Sequence, residues 1–530
     1  MKRSFLIIIA VFSIFFTGCE KDLDQNPLST ISPSNFYRNE GDCRLALNSV
    51  YSDIGSRYTY GEQLGIQFMV GTDEAVFSRS YNSWTIGLYI HNSTTVDIEN
   101  TWRTLYRGIN NANLLLANMP GAEFKDEARK SRYEAETRFL RAFYYFDLVR
   151  WWGGVPLRTE PITDAQTAND FPRSSAQEVY QFIINELEAI APNLALPSED
   201  LEYGRVSRTA AWGLLSRVYL TKAGVALEDM PAESYAKVIE YCDLIIDSGE
   251  HDLLANYSEV FLNEIQGVNN DTEVIFEIQF ENLKSSGIEE SGKHGNLNGI
   301  MCQKAGSPYG YAFTYAGLSL INAYDQDEDV RYDWNVADFK VDKKGVVKIQ
   351  KNEYEWFPGK FRRVQKVTNT DGSLGWIGLE SGDIDKNYTG INFPILRYSD
   401  ILLMKAEALN ELDQTSDAVP YLNQVRTRAG LANIDPILVS TKENFHNELM
   451  DERMREFCFE GIRKHDLIRW GVLEEKLNDL KIDMQAANIA SSREWLYRSS
   501  NNVEAKHYLL PIPLKELTEN KMMEQNPLWK

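Results

Sequence analysis

Apolar residues recur at helical spacing along most of the chain up to about residue 222. In one stretch Leu105, Ile109, Ala112 and Leu116 fall on a single face, as in an amphipathic helix. Similar patterns predict further helices at 176–191, 208–222, 401–412 and 418–429. Because these helices come in pairs joined by short turns, they predict helical hairpins of the tetratricopeptide kind, although no clean repeat period is visible.

The most apolar helix is predicted over residues 134–152. Its apolar positions lie on nearly every side, which indicates a helix buried in a core. Gly153-Gly154, followed by Pro156, predicts its end. Five tryptophans in or beside apolar helices are interpreted as packing residues: Trp102, Trp151, Trp152, Trp212 and Trp470.

The pattern changes between residues 269 and 392. Residues 273–280 alternate like a strand, with apolar side chains on one face. Residues 282–315 are rich in Gly, Ser and Asn and predict a long loop, and such loops in compact proteins are either functional or disordered. Lys343-Lys344-Gly345 predicts a hairpin turn. This middle region interrupts an otherwise helical scaffold.

The N-terminus has the layout of a secretory signal. Two basic residues precede an apolar run over 5–16, and Thr17-Gly18-Cys19 follows. The run is shorter than the roughly 20 apolar residues that a spanning helix needs. Its end resembles a bacterial lipobox, although Phe16 stands where such boxes usually carry Leu. We predict that residues 1–18 are a removed signal peptide and that Cys19 is lipidated; an ordinary cleaved signal is the alternative.

Charge and composition exclude nucleic acid as a partner. The chain has 530 residues, of which 43% are hydrophobic and 25% charged, as in ordinary globular proteins. Its formal net charge is −22, and loss of Lys2 and Arg3 with the signal makes it more acidic. Because nucleic-acid recognition needs a basic surface, we expect none here.

The other cysteines and the histidines give no indication of a metal site. Cys43, Cys242, Cys302 and Cys458 are scattered, without a CxxC motif. In an oxidising compartment they could form disulfides, but buried free thiols are favoured in a domain this large. No HExxH motif is present, so neither a metal nor a cofactor is expected.

The densest charged segments are interpreted as structural. Between residues 452 and 469, acids and bases such as Arg453 and Glu456 lie within one helical turn, which predicts ion pairs. Glycoside hydrolysis needs two carboxylates at a set separation across a cleft, and we do not assign that role to the acidic cluster at 325–329. No GxSxG or phosphate-loop pattern indicates other chemistry. We predict no catalytic residue and no enzyme activity.

A series of short motifs runs in order through nearly the whole chain. It includes Trp102, Tyr106, Ile109 and Asn113, then the segments 136–146, 153–156, 397–404, 425–430, 452–470, 510–513 and 525–527. Together these motifs resemble those of the SusD/RagB family of outer-membrane nutrient-binding lipoproteins.

The resemblance implies a mainly α fold, in a single SusD-like domain that combines tetratricopeptide-like hairpins with a loop-rich region and short β hairpins. We expect an N-terminal helical part at 19–225 and a C-terminal part at 226–530, which includes the loop-rich middle at 269–392. The resemblance also implies anchoring at the outer membrane, facing the outside, beside a TonB-dependent barrel of the SusC/RagA kind. Members of the family capture glycans or peptides for that transporter and perform no reaction.

Aromatic residues outside regular helices are the candidate ligand contacts, because Trp and Tyr rings stack on the apolar faces of sugar rings. The candidates form three groups along the chain: Tyr81, Asn82 and Trp84; Tyr309, Tyr311 and Tyr315; Trp334, Tyr354 and Trp356. Ordinary packing remains the alternative for each.

Three alternatives to oligosaccharide binding stay open. The ligand of the same transport system could be a peptide, or the protein could be a surface enzyme that degrades glycans. A third alternative is a structural or adhesive protein that uses helical repeats as a scaffold. Product formation would identify the enzyme, and the scaffold would lack affinity for small ligands.

Overall fold

The computed structural model describes residues 36–162, 170–199, 201–225, 231–281, 292–382 and 384–530. The signal peptide and Cys19 lie outside the described residues, so the predictions made for them remain predictions. Within the described chain, no helix combines the length and hydropathy needed to cross a bilayer.

Helices form most of the regular structure. They are α1 (Glu40–Gly55), α2 (Val96–Asn118), α3 (Glu127–Trp152), α4 (Ala176–Ile190), α5 (Arg208–Lys222), α6 (Pro231–Ser248), α7 (Tyr257–Gln266), α8 (Leu318–Ala323), α9 (Arg331–Asn335), α10 (Tyr398–Glu411), α11 (Thr415–Arg428), α12 (Lys442–Phe457), α13 (Arg463–Arg469), α14 (Leu473–Ala486), α15 (Arg498–Asn502) and α16 (Leu514–Glu519).

The strands are short and pair two by two. They are β1 (Ala75–Phe77), β2 (Val274–Ile278), β3 (Thr314–Ala316), β4 (Val336–Ala337), β5 (Phe339–Val341), β6 (Val347–Ile349), β7 (Phe357–Pro358), β8 (Val364–Thr368), β9 (Leu374–Gly378) and β10 (Phe393–Arg397). The antiparallel pairs are β1–β3, β2–β10, β4–β7, β5–β6 and β8–β9.

Successive helices from α1 to α6 each pack on the next, and α10 packs on α11, α6 and α12. This arrangement confirms the mainly α fold. Helix α5 has the predicted bounds, 208–222. The ends of α4, α10 and α11 each lie within about three residues of the predicted ends. In α2, Leu105, Ile109 and Ala112 are buried as expected, but Leu116 is only partly buried.

Helix α3 begins at Glu127 rather than at the predicted residue 134, and from residue 135 to Trp152 it is buried on nearly all sides, as its sequence predicts. Asp126 caps its start by accepting a hydrogen bond from the Ala128 amide, and Gly153 ends it with a φ of 73°. Helix α2 approaches α3 closely at Gly108, where a Cβ would lie 2.4 Å from the Tyr144 ring. Glycine is therefore required there by the distance between the two helices.

In the middle region, the strand predicted at 273–280 is confirmed as β2, whereas the bounds of the long loop need correction. Strand β2 is buried on both faces, because α3 covers one side through contacts such as Phe139 to Phe276, so its residues do not alternate in exposure. The segment 292–313 is irregular as predicted, but Thr314 begins β3 and places Tyr315 in a strand. The hairpin turn at Lys343-Lys344-Gly345 is confirmed between β5 and β6.

The charged residues of α12 and α13 form buried ion pairs, so their structural interpretation is confirmed. The predicted partners were wrong in part: Arg453 pairs with Asp400 and Asp466 at 2.9 and 2.8 Å, not with Glu456. Glu456 instead meets three arginines from other elements: Arg331, Arg397 and Arg428. The network therefore joins distant segments rather than stabilising one helix.

The four described cysteines, Cys43, Cys242, Cys302 and Cys458, are buried free thiols, the favoured alternative. Of the tryptophans interpreted as structural, Trp102, Trp151 and Trp152 are buried, whereas Trp212 and Trp470 are partly buried against the core.

A buried carboxyl pair predicts an unusual dependence of stability on pH. Glu264 of α7 is buried beside Glu277 of β2, and burial, followed by repulsion from Glu277, raises its pKa well above 4.5. The folded protein therefore holds a proton that the unfolded chain releases near pH 4.5, and stability falls as pH rises from that value toward the folded-state pKa. The loss in the free energy of unfolding is at most about 1.4 kcal/mol per pH unit. Glu264→Gln is expected to remove it, because glutamine does not titrate.

Melting temperatures of both proteins between about pH 4 and about pH 8 test this prediction. Glu264→Gln is expected to match the wild type at low pH and to exceed it at high pH. Glu259→Gln, an exposed substitution on the same helix, serves as the control. A constant difference across the pH range would contradict a buried titrating group at Glu264.

Candidate ligand-binding site

Pairing of β1 with β3 brings two distant segments of the chain together. Phe77 lies opposite Thr314, and the Ser78 amide continues the pairing by donating to the Phe313 carbonyl at 2.9 Å. Residues 78–84, which follow β1, therefore lie beside residues 309–313, which precede β3. Two of the three predicted aromatic groups meet at this point.

Aromatic rings connect these segments in a continuous row. The ring of Tyr81 contacts Phe77 at 6.0 Å between centroids, and Phe77 contacts Phe313 at 6.3 Å. Phe313 contacts Tyr311 at 5.8 Å, and Tyr311 contacts Tyr309 at 4.8 Å. Tyr81 is exposed, and Tyr309, Tyr311 and Phe313 are partly exposed. We call these four residues the aromatic surface.

A third segment, residues 384–389, borders the aromatic surface. The side-chain amide of Asn296 donates to the carbonyls of Tyr309 and Lys386 at 2.7 and 2.9 Å. The Tyr311 hydroxyl donates to Asn387 Oδ1 at 2.9 Å. Exposed amide and hydroxyl groups thus stand beside the rings.

The backbone between Tyr309 and Phe313 is held in an uncommon conformation. Gly310 lies so close to another segment that a Cβ would be 2.1 Å from the Ile300 carbonyl oxygen. Ala312 has a φ of 51°, which is rare for a residue with a side chain and costs energy. Such strain, where it persists, commonly accompanies a functional site.

Two arginines fasten the loop after β1, and neither forms an ion pair with a described residue. Arg79 donates to the carbonyls of Ser78, Ala312 and Tyr311, and its guanidinium lies 4.6 Å from the Phe313 ring centroid. Arg498 donates to the carbonyls of Ser80, Arg79 and Tyr81 and to Asn82 Oδ1. Desolvation lowers the pKa of both guanidinium groups.

Three of the predicted ligand contacts are buried. Trp84 is 5% exposed and packs beneath Phe77 and Phe313 at 5.0 and 5.6 Å. Tyr315 is 7% exposed and packs on Phe357, while Trp334 is 8% exposed and donates to the Lys360 carbonyl. Because these rings are covered by the protein, we assign them a supporting role and correct their place among the candidate contacts.

The remaining candidates divide between two places. Tyr81, Asn82, Tyr309 and Tyr311 lie together at the aromatic surface. Tyr354 and Trp356 are partly buried in the core behind β3, where Trp356 donates to the Gln350 carbonyl at 2.9 Å and accepts from the Ala316 amide through its own carbonyl.

The sequence interpretation did not include Phe313, Arg79 or Arg498. Phe313 continues the spacing of Tyr309 and Tyr311 by two residues, and that alternation could have identified it. Arg498 lies more than 400 positions from Asn82 along the chain, and no local pattern indicates that they meet.

The groups at the aromatic surface are suited to binding a ligand. Flat rings offer stacking, and the tyrosine hydroxyls and the Asn82 and Asn387 amides offer hydrogen bonds. In the part of the chain that the structure describes, no three His, Cys, Asp or Glu side chains converge as metal ligands.

The chain belongs to the SusD/RagB family. Its residues 272–529 match the SusD family, and residues 24–220 match a SusD-like family described as starch-binding and associating with the outer membrane. SusD-like protein P25 of Formosa agariphila is 27% identical, over 98% of this chain and 97% of that protein. The starch-binding protein SusD of Bacteroides thetaiotaomicron is 24% identical, over 99% of this chain and 98% of that protein.

Solved structures agree with the fold. A SusD homologue from Bacteroides thetaiotaomicron superposes with a TM-score of 0.83 at 26% identity, covering 94% of this chain and 98% of that one.

Proposed function

We propose that the protein binds an oligosaccharide at the aromatic surface and delivers it to a SusC-like TonB-dependent transporter. The observation that carries the proposal is the row of partly exposed rings assembled from two distant segments beside amide and hydroxyl groups. Sugar rings combine apolar faces with hydroxyl edges, and this surface offers a partner for each. The name of the relative SusD, a starch-binding protein, supports the same ligand class.

In this proposal the protein performs no reaction, and its energy source is that of the transporter. Lipid on Cys19 holds it at the outer membrane, facing the outside. The tetratricopeptide-like helices face the barrel, so that the protein covers it as a lid. The SusD-like family description, which includes association with the outer membrane, supports this location.

Calorimetric titration tests the ligand class. The mature chain carrying Cys19→Ser is titrated with oligosaccharides and with peptides of comparable size. We expect a heat of binding with oligosaccharides and none with peptides, and we expect the oligosaccharides to be recovered intact. Heat from peptides alone would replace the proposed ligand class with peptides, and shortened oligomers would indicate the enzyme.

Loss of the Cys19 thiol is expected to release the protein from membranes. Cys19→Ser removes the acceptor of the lipid, and residues 36–530, which include every described element, remain unchanged. Cell fractionation followed by a salt wash measures the effect, with Cys43→Ser, a substitution of a buried thiol, as the control. Retention of the Cys19→Ser protein in the washed membrane fraction would contradict lipid anchoring.

A further inference from the structure

Three cationic side chains lie at the aromatic surface and indicate the charge of its ligand. In a protein with a net charge of −22, this surface gathers positive charge. Arg79 lies over Phe313, and Lys386 Nζ lies 4.9 Å from the Tyr309 ring centroid. Arg498 lies over Trp495 at 5.8 Å and reaches the carbonyl of Tyr81.

None of these cations has a carboxylate partner among the described residues. Arg79 and Arg498 make their hydrogen bonds to backbone carbonyls, the Ser78 hydroxyl and the Asn82 amide oxygen. Lys386 is exposed and pairs with no described acid. Arg205 and Arg217, which are also partly buried, pair with carboxylates. Arg362, like Arg79, donates to backbone carbonyls.

Two described acids on the same loop, Asp385 and Glu380, are engaged with other groups. The Asp385 carboxylate accepts hydrogen bonds from the amides of Asn387 and Tyr388. Glu380 pairs with Arg363, which also donates to the Tyr309 carbonyl. No described carboxylate therefore pairs with Arg79, Arg498 or Lys386.

The positive charge continues along the loop that carries Tyr309. Lys304, on this loop, is exposed and lies 5.3 Å from the ring centroid of Trp376 in β9. A Cβ at Gly378, also in β9, would lie 3.2 Å from Pro308, the residue before Tyr309. A second ring, beside a cation that pairs with no described acid, therefore borders the aromatic surface.

Fastening a loop does not by itself require charge, because a neutral amide also donates to carbonyls. Burying a guanidinium without a counter-charge costs energy, and desolvation accordingly lowers the pKa of Arg79 and Arg498. Uncompensated charge beside a low-dielectric wall of rings focuses a positive potential on the space in front of it. Such a potential attracts anions.

We propose that the oligosaccharide bound at the aromatic surface is anionic, carrying carboxylate or sulfate groups. This inference rests on the proposed function and names the ligand class of the same site. The rings stack on the sugar faces, while Lys386 and Lys304 contact acidic substituents and the two arginines supply a fixed positive potential.

Matched pairs of ligands test the inference on the mature chain carrying Cys19→Ser. The probes are oligouronates with their carboxyl-reduced forms, and sulfated galactan oligosaccharides with their desulfated forms. For at least one pair we expect the affinity for the anionic member to exceed that for the neutral member by a factor of about ten or more. We expect this preference to shrink when NaCl is raised from about 50 mM to about 500 mM. The pair that shows the preference distinguishes carboxylate from sulfate.

Two exposed lysines provide the variants, because neither forms an ion pair within the part of the chain that the structure describes. Lys386→Gln is expected to weaken binding of the anionic ligand about two- to fivefold, which is the effect of one exposed charge pair. Its affinity for the neutral form is expected to stay unchanged. Lys304→Gln is expected to act in the same direction. Lys125→Gln, an exposed substitution in the connection between α2 and α3, is the control.

The outcomes separate the inference from the proposed function. Equal binding of both members of every bound pair, independent of salt, would overturn the anionic ligand and leave oligosaccharide binding standing. Absence of binding to all charged and neutral members would overturn both. Equal losses for both members in the Lys386→Gln protein would also overturn the inference, because such losses would indicate a change of shape.

Discussion

Replacement of Glu456 by alanine is expected to lower the free energy of unfolding by about 3–5 kcal/mol, the usual cost of breaking a buried ion pair from one side. The Glu456 carboxylate is fully buried in α12. It lies 3.1 Å from Arg331 and 3.0 Å from Arg397, and it also pairs with Arg428. Its loss leaves three buried guanidinium groups with less negative charge to offset them.

The neighbouring acids cannot take over this role, because each is already engaged. Glu273 pairs with Arg397 and Arg428, and Glu452 pairs with Arg331 and Arg455. Although burial opposes it, attraction to Arg331 and Arg455 lowers the pKa of Glu452 to about 2. The network joins α9, β10, α11, α12 and the turn before β2, so a defect at Glu456 acts on every element that surrounds it.

Urea unfolding, followed by tryptophan fluorescence, measures the effect through the transition midpoint and slope. Glu456→Gln keeps the shape of the side chain and loses its charge. Its free energy of unfolding is expected to lie between those of Glu456→Ala and the wild type. Glu443→Ala removes an exposed carboxylate from the same helix and is expected to change the free energy by less than about 0.5 kcal/mol. A Glu456→Ala protein as stable as the Glu443→Ala control would show that the network contributes little to the fold.

This network marks the limit of what the sequence predicts about the fold. The spacing of apolar residues correctly places helices such as α5, because a helical period depends on neighbours within a few positions. The ion pairs of Arg453 could not be assigned in the same way. Asp400 lies 53 positions away, and only tertiary packing brings it to α12.

The same distinction applies to the candidate site. Residue type identifies Tyr81, Asn82, Tyr309 and Tyr311, and β1–β3 pairing brings them together. Burial is not apparent from local sequence in an irregular segment, so Trp84 is placed among the ligand contacts although it supports Phe313 from beneath. The ligand contacts themselves remain a proposal, and the decisive test is removal of the exposed rings.

Replacing Tyr309 and Tyr311 together by alanine is expected to weaken oligosaccharide binding about a hundredfold. Each ring that stacks on a sugar contributes about 1–2 kcal/mol, in the range of aromatic hot spots. The two rings contact each other at 4.8 Å and both are partly exposed, so the double variant removes the centre of the aromatic surface. Titration calorimetry of the mature chain carrying Cys19→Ser measures the loss.

Two comparisons distinguish stacking from other effects. Phenylalanine at both positions keeps the rings and removes the hydroxyls, including the hydrogen bond from Tyr311 to Asn387, so we expect a loss of about three- to tenfold. Tyr421→Ala, a partly buried tyrosine of α11 that accepts a hydrogen bond from Lys405, is expected to leave binding unchanged. If the double alanine variant bound its oligosaccharide with wild-type affinity while remaining folded, the ligand would have to lie elsewhere on the protein. Because the phenylalanine pair preserves the stacked rings, a loss as large as that of the alanine pair would assign the affinity to hydrogen bonds instead.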